Sequence, residues 1–590
     1  MNKQECDVLR TLFTNPYVNQ RILAETTGHS LGIINRSIKS LTNTGYLDEN
    51  MQPTELAKQE FRQRAPRNAI ILAAGFGMRM VPINLETPKA LLEVGGKPLI
   101  ERTIGQLHDA GITEIHVVVG FMKEQFEYLI DEYGVELTVN PYYASKNNIW
   151  SLKLVLDKLS NSYIIPCDIW CAENPFSRQE TNSWYMVKDL ADNGSPVRVN
   201  RRAELVTVPK NGCGNTMVGI AYLLEKDCEI LRHRIELMCR NGENNDAFWE
   251  SALYENGRMI VPARVIHASD AVEINTYEQL RKLDGKSNNL RSEALDIIAD
   301  VFHTSPDSVT DITVLKKGMT NRSFLFTYNK NKYIMRIPGE GTDQLINRRH
   351  EADVYRAIQG KGLCDEPVFI DPCNGYKITK YLDGVRTADK SNEDDLKLCM
   401  DKLRQFHGMK LKADHEFDIF GQIGFYESLW EGQPSIYKDY MKTKANIMSL
   451  RPYIEAHTET KVLTHMDAVP DNFLFYTTSE GEKLQLTDWE YAGMQDPHVD
   501  IAMFCIYSLY DKSQADRLID IYFDSRCPWE TRIKIYCYIA VCGLLWSNWC
   551  EYKSRQGVEF GEYSLRQYRY AKDYYKIVRD ETGEEYVSGN

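Results

Sequence analysis

No Cys-x-x-Cys pair occurs among the fourteen cysteines of this 590-residue chain, and the tightest spacings, Cys167 with Cys171 and Cys537 with Cys542, form no paired zinc pattern. Reduced thiols in a cytoplasm are the expected state. Long apolar runs are missing too: IYCYIAVCGLLWSNWC, from Ile535, stops at about 16 residues and reads as a buried helix rather than a membrane span. The opening MNKQECDVLRTLF is charged through its first ten residues and has no apolar core followed by small residues, so it is not a signal peptide. Nor is positive charge in excess; 70 Lys and Arg against 83 Asp and Glu leave −13, which argues against a protein that coats nucleic acid. These absences leave a soluble, cytoplasmic protein without membrane insertion, too long for one core and expected to hold about three or four domains.

What is present centres on residues 68–98, NAIILAAGFGMRMVPINLETPKALLEVGGKP. Ala69 to Leu72 has buried-strand length and breaks into Ala73, Ala74, Gly75, Phe76 and Gly77, where small residues let backbone N–H groups close on a phosphate. Arg79 after the glycines and Lys89 after Pro88 supply two cations of different geometry, a planar fork and a point charge, so a triphosphate is the natural guest. A lone Gly-x-Gly would equally suit an ordinary strand-to-helix loop. The whole string resembles the sugar-phosphate and choline-phosphate nucleotidyltransferase superfamily, matching its LAAGxGxR and PKxLxxVxGKP signature from Leu72 to Pro98. The resemblance implies transfer of a nucleoside monophosphate from an NTP to a phosphorylated small molecule.

Strand and helix patterns alternate after Leu99, a βαβ rhythm that predicts a parallel, Rossmann-like sheet with ligands beyond the carboxyl ends of its strands. Tyr163 to Pro166 is a strand that delivers Cys167 and Asp168 to such an end. Within the resemblance Asp168 is a magnesium ligand, and the late E-I-D strand becomes AVEIN, giving Glu273 and then Asn275 in place of the Asp. An amide oxygen can coordinate Mg²⁺ but adds no charge. The strings NPYYASKNNIWSL, PCDIW, GNTMVGIAYL and NDAFWESAL resemble bacterial CTP:phosphocholine cytidylyltransferases. Trp170 and Trp249, with Trp150, Tyr185 and Tyr222, are then candidates for the aromatic faces that hold a trimethylammonium group, although each is also an ordinary core residue.

Before this domain, Cys6 to Arg62 carries helical patterns with a turn at Gly28; Leu31, Ile34, Ile38 and Leu41 share one face, and Ser30, Asn35, Arg36 and Lys39 the other. The segment looks like a winged helix-turn-helix, and with two cations on the second helix it suits DNA binding or protein docking equally.

After a polar linker at 283–289 a third domain begins. Gly318, Thr320 and Asn321 suit a phosphate-covering hairpin, and Arg336 on a strand can pair with Glu351 on a helix as the Lys and Glu of protein kinases do. THMDAVPDNFLF places His465, Asp467 and Asn472 in H-x-D-x-x-x-x-N, and Asp488 in TDWEYAG follows sixteen residues later. The ordered set resembles the choline kinase and aminoglycoside phosphotransferase family. It implies Asp467 as base, Asn472 and Asp488 as Mg²⁺ ligands, Asp500 as a brace, and a choline box of Tyr491, Trp546, Trp549 and Tyr563.

The expected fold is therefore α/β multidomain: a small winged helix-turn-helix (1–66), a Rossmann-like nucleotidyltransferase (67–285) and a protein-kinase-like bilobal α+β domain (286–590). The expected activity is phosphorylation of choline with ATP followed by transfer of CMP from CTP to phosphocholine, with Mg²⁺. The alternatives are ethanolamine, another amino alcohol or a sugar as substrate, or a choline-sensing regulator with decayed enzyme domains.

Overall fold

The computed structural model describes residues 1–583 except 76, 78–79, 84–86, 210–211, 241–243, 316–320, 340–341, 343–344, 479–480, 557 and 559. The chain divides into two compact units, Met1–Asp296 with Ile312–Val314, and Ile297–Asp311 with Leu315–Asn590.

The first unit opens with helices Lys3–Thr14, Gln20–Thr27, Leu31–Asn43 and Glu55–Arg64, the last two separated by an antiparallel bridge between Leu47 and Pro53. Ile34, Ile38 and Leu41 enter their shared core with Val8, Leu12 and Leu23. Leu31 does not; on the first turn of its helix it lies outside that core and is 48% exposed. Ser30, Asn35, Arg36 and Lys39 are exposed as their spacing predicts.

These helices pack on the sheet domain that follows them. Arg10 and Arg64 donate to the hydroxyl and carbonyl oxygens of Thr181, both at 3.1 Å, and Asn161 donates to the Gln63 carbonyl at 2.6 Å. In the sheet the order runs Glu136–Val139, Glu114–Val119, Asn68–Ala73, Ser162–Pro166, Gly214–Leu223, Trp184–Asp192, Arg258–Ile266, Glu204–Thr207 and Val197–Val199. Arg258–Ile266 also pairs in parallel with Trp184–Asp192, but the unbroken run of parallel neighbours is the first four strands. The βαβ rhythm ends there: from Trp184 to Leu223 no helix intervenes, so the chain returns beside itself and the sheet becomes mixed. Alternate residues of Asn68–Ala73 serve opposite faces, as a period of two requires. Ile70 and Leu72 pack with Ile149, Leu152 and Leu231, while Ala69 and Ile71 pack with Ile100, Ile104 and Leu107.

In the second unit antiparallel strands Asn321–Tyr328, Asn331–Pro338, Lys377–Lys380 and Pro367–Ile370 lie in that order. A mainly helical part follows, organised on the 27-residue helix Trp529–Arg555. By length and composition this helix could cross a membrane, contrary to the sequence expectation, because flanking residues extend the apolar run; its most apolar window is nevertheless wholly buried inside the unit. Gly543 makes that burial possible, since a Cβ there would lie 2.7 Å from the Tyr570 Cβ of the neighbouring helix.

Near the start of the long helix, Lys534 donates to Asp496 at 2.6 Å and to the His457 carbonyl at 2.8 Å, with both charged side chains almost fully buried. Burial opposes ionisation of Asp496, but His498 and Lys534 outweigh it and hold the carboxyl down to about 2. Removing one member of a buried pair strands the other, at a cost of about 3–5 kcal/mol. Lys534→Met should therefore lower the melting temperature of the second unit by several degrees in a thermal unfolding scan, whereas Lys572→Met at the half-exposed pair with Asp439 should leave it nearly unchanged.

Candidate active sites

In the first unit the strand Asn68–Ala73 ends in a loop whose Gly77 has φ +62°, a left-handed conformation suited to glycine. A Cβ there would meet the Cβ of Lys89 at 3.4 Å, so the loop and the Lys89 turn are neighbours. Leu72, Ala73 and Ala74 are buried and Gly75 is open, whereas Arg79 lies outside the described residues. Lys89, on a 3₁₀ turn after Pro88, donates to Asp168 and, at 2.6 Å, to the amide oxygen of Asn275. These three predicted residues thus converge. The backbone explains how: Ile274 N–H donates to the Asp168 carbonyl at 3.0 Å, stitching the two segments together just before Asn275. Glu273, one step earlier on the strand, is exposed.

The predicted aromatic faces are placed differently from one another. Trp249 is 1% exposed and packs 6.2 Å from Tyr185, while Trp170 is partly exposed on a two-stranded ribbon opposite Val272. Trp150 already carries cations of its own chain, Lys146 at 3.4 Å and Lys153 at 4.2 Å from the ring. Glu250, which lies in the NDAFWESAL string but was not among the expected site residues, accepts from the Tyr185 hydroxyl at 3.1 Å, and its other oxygen is buried without a hydrogen-bond partner among the described residues. Burial, abetted by the charges of Glu273 and Asp168, pushes its carboxyl up to about 7.

In the second unit a cavity of about 750 Å³ brings together Asp467, Asn472, Asp488, Arg336, Tyr491 and both Trp546 and Trp549. The Asn472 amide donates to the Asp467 carbonyl at 2.9 Å and to its carboxylate at 3.0 Å. Asp500 accepts from the backbone N–H groups of His465 and Met466 at 2.9 and 2.8 Å and lies 3.0 Å from His407, so it holds the loop from behind. Met466 and Asp488 both have positive φ, +63° and +64°, a strained backbone at the cavity floor. Arg336 donates to Glu351 at 2.5 Å and to the Gly375 carbonyl at 3.1 Å, and its guanidinium stands 3.7 Å from Asp488. Gly318 and Thr320 lie outside the described residues; Asn321, where the strand begins, donates to Glu490 at 3.0 Å.

Electrostatically this floor is crowded with acid. Burial and then the charges of Asp488 and Glu490 push Asp467 up to about 8, and burial likewise raises Asp488 against the pull of Arg336 and Lys377. Hard oxygen donors of excess negative charge are what Mg²⁺ takes, so Asn472 and Asp488 fit it; in the first unit the oxygens of Asp168 and Asn275 already converge on a cation, the Lys89 ammonium, and fit it too. Lys377 was not legible as a site residue. It lines the cavity, 3.0 Å from Asp365, and only the strand register, Arg336 opposite Lys377, places it there.

Above the acids stands an aromatic wall. Trp546 and Trp549 lie 6.3 Å apart with rings 24° from parallel, Tyr491 meets Trp546 edge-on at 5.8 Å, and Phe560 lies 5.4 Å from Trp549. Tyr563 adjoins Phe560 at 6.4 Å and Tyr507 at 6.2 Å. Tyr507 is a further lining residue that the sequence did not reveal; its hydroxyl donates to Asp471 at 2.6 Å.

These two sites define the chain as a nucleotidyltransferase joined to a small-molecule kinase. A model of the MobA-like NTP transferase domain matches residues 69–209, and one of choline/ethanolamine kinase matches residues 312–524. The choline-phosphate cytidylyltransferase of Streptococcus pneumoniae is 34% identical over 220 residues, 37% of this chain and 96% of that enzyme. The 2-aminoethylphosphonate cytidylyltransferase of Lancefieldella rimae is 31% identical over 235 residues, 37% of this chain and 92% of the relative. Protein LicA of Haemophilus influenzae is 28% identical over 265 residues, 42% of this chain and 96% of that protein. The crystal structure of choline kinase LicA from Streptococcus pneumoniae aligns with 48% of this chain and 100% of its own, at 28% identity and a TM-score of 0.42. The chain belongs to the choline-phosphate cytidylyltransferase family and carries, after the transferase, a segment that matches choline/ethanolamine kinase.

Proposed function

We propose that the chain makes CDP-choline in two steps, phosphorylating choline with ATP in the second unit and transferring CMP from CTP to phosphocholine in the first. The observation that carries the kinase step is a base, Asp467, oriented by Asn472 at the foot of a wall of aromatic faces. A trimethylammonium group has no N–H to donate, so aromatic faces hold it by cation–π attraction while its hydroxyl reaches down to Asp467. Asp467 accepts that proton as the oxygen attacks the γ-phosphate, and Arg336, fixed by Glu351, faces the phosphate charge. Magnesium, when bound by Asn472 and Asp488, neutralises charge on the transferring phosphoryl group. In the first unit Lys89 and the glycine loop receive the triphosphate, Asp168 with Asn275 and Glu273 is the proposed metal-binding set, and Trp170 and Trp249 are the proposed acceptor-side aromatics.

The similarity to an aminoethylphosphonate enzyme favours a second acceptor for the transferase alone. A phosphonate needs no kinase to make it, however, whereas phosphocholine is what the fused kinase would supply. Purified protein given choline, ATP, CTP and Mg²⁺ should release pyrophosphate and CDP-choline; pyrophosphate from aminoethylphosphonate but not from phosphocholine would reverse the reading. Its free thiols suit a cytoplasmic setting.

The choline assignment has its own test. Trp546→Ala or Trp549→Ala should each weaken choline binding by about 1–2 kcal/mol, the range of a desolvated cation–π contact. Isothermal titration with choline would detect this, and two variants with unaltered affinity would remove the cage. For the N-terminal helices we infer packing on the transferase rather than DNA binding. Residues 1–66 hold eight basic and seven acidic side chains, too even a balance for phosphate attraction, and the protein should not be retained on genomic DNA at low salt.

A further inference from the structure

Two imidazoles in the second unit lie face to face, and nothing in the phosphoryl-transfer chemistry accounts for them. The rings of His350 and His415 are stacked at 3.9 Å, only 9° from parallel. His350 stands on the first turn of helix Arg348–Ile358, immediately before Glu351, the acid that fixes Arg336. His415 is locked to a different segment: its Nε2–H donates to the Ala492 carbonyl at 2.8 Å, and its own carbonyl accepts from the Met494 N–H at 3.0 Å. Gly493 lets that strand come so close, since a Cβ there would lie 3.3 Å from the His415 ring. Tyr491 of the aromatic wall is one residue before Ala492, and Asp488 is four before it. The stack therefore joins the helix that orients the phosphate-facing cation to the loop that carries Asp488 and Tyr491.

We propose that His350 and His415 are positioning residues of the kinase, a stack that seats helix Arg348–Ile358 against the cavity floor and lets go when both rings are protonated. The inference rests on the reading of the second unit as a kinase. Stacked rings attract while at most one carries charge, whereas two imidazolium ions at that separation repel strongly. Little in the surroundings offsets a second proton. Burial and the neighbouring imidazole lower the proton affinity of His350 more than Asp353, three residues on, raises it. Arg349 and the N-terminal end of the helix add positive potential, and Arg348 and Glu351 on the same turn are paired with each other at 3.2 Å. Asp414 and Glu416 flank His415 but are exposed, Glu416 is paired with Lys461 at 2.7 Å, and strand Gly493–Gln495 brings no charged side chain. A histidine whose proton affinity is depressed by its contact leaves that contact whole above the ordinary imidazole range and loses it as pH falls. Parting the rings frees the helix, Glu351 loses its hold on Arg336, and phosphoryl transfer slows for a reason that the first unit does not share.

The test is the ratio of choline phosphorylation rates in variant and parent as pH is lowered from about 8 to about 5.5, the range over which an imidazole titrates. A ratio cancels the titration of Asp467, which both proteins share. His350→Ala removes the stack and should lose on the order of tenfold in kcat at the upper pH, and His350→Phe, which keeps a ring there without its proton, should restore the rate. At the lower pH the Phe variant should outrun the parent by roughly threefold or more, because one of the two charges is gone. Thermal unfolding gives a second readout that needs no substrate: the second unit should melt higher in His350→Phe than in the parent, by a margin that widens as pH falls. Full activity in His350→Ala, or a Phe-to-parent rate ratio that is flat with pH, would overturn the proposal. So would a widening thermal margin beside a flat rate ratio, since the rings would then titrate without positioning anything. A parent that moves no phosphate from ATP to choline or to ethanolamine at any pH fails the kinase reading and this proposal with it, whereas an active parent with a flat ratio fails the proposal alone.

Discussion

Asp467→Asn should abolish ATP-dependent phosphorylation of choline while leaving CTP-dependent activation of added phosphocholine at its original rate. The asparagine keeps the size of the side chain and can still meet Asn472, but it cannot take the hydroxyl proton. Loss of a positioned base costs roughly 10²–10⁴-fold in rate. The same change removes one carboxylate from beside Asp488 and Glu490, which oppose its ionisation, so the protein should be no less stable than the parent. That separates a chemical defect from a folding one, and thermal unfolding checks it. Because Asp467 and Lys89 lie in different compact units, the transferase should not notice. A folded variant that lost both activities would show that the two sites do not work separately.

Lys89→Ala should produce the mirror image, with choline phosphorylation intact and CDP-choline formation reduced by roughly 10²–10³-fold, the usual loss when a preorganised charge is taken from a transition state. The loss should fall mainly on the rate at saturating CTP rather than on apparent affinity, since the backbone of the glycine loop still receives the phosphates. Lys89→Arg should recover little, because its planar fork cannot replace the ammonium that meets the Asp168 and Asn275 oxygens together. An unaltered rate in Lys89→Ala would move the transferase site away from this loop.

Much of this was legible without coordinates, for a reason that lies in chain geometry. Strand and helix periods are local, so the run Asn68–Ala73 and the face Ile34, Ile38, Leu41 follow from residues a few positions apart. The motifs behaved likewise: Asp467 and Asn472 are held together by a single turn, and Trp546 and Trp549 by one helix. Other features depend on which surfaces meet. Trp249 and Trp170 look alike as letters, yet one is sealed against Tyr185 and the other opens from a ribbon. Trp150 would suit a choline cage were it not already facing Lys146 and Lys153. Glu250 acquires a buried oxygen with no hydrogen-bond partner among the described residues, and Lys377 a place beside Asp365 in the second unit's cavity, only when distant segments close around them. The sharpest case is Asn275. In the sequence it is a carboxylate missing from a metal motif; in the structure the bond from Ile274 to Asp168 brings its amide oxygen onto Lys89, because long-range packing decides which charges share a site.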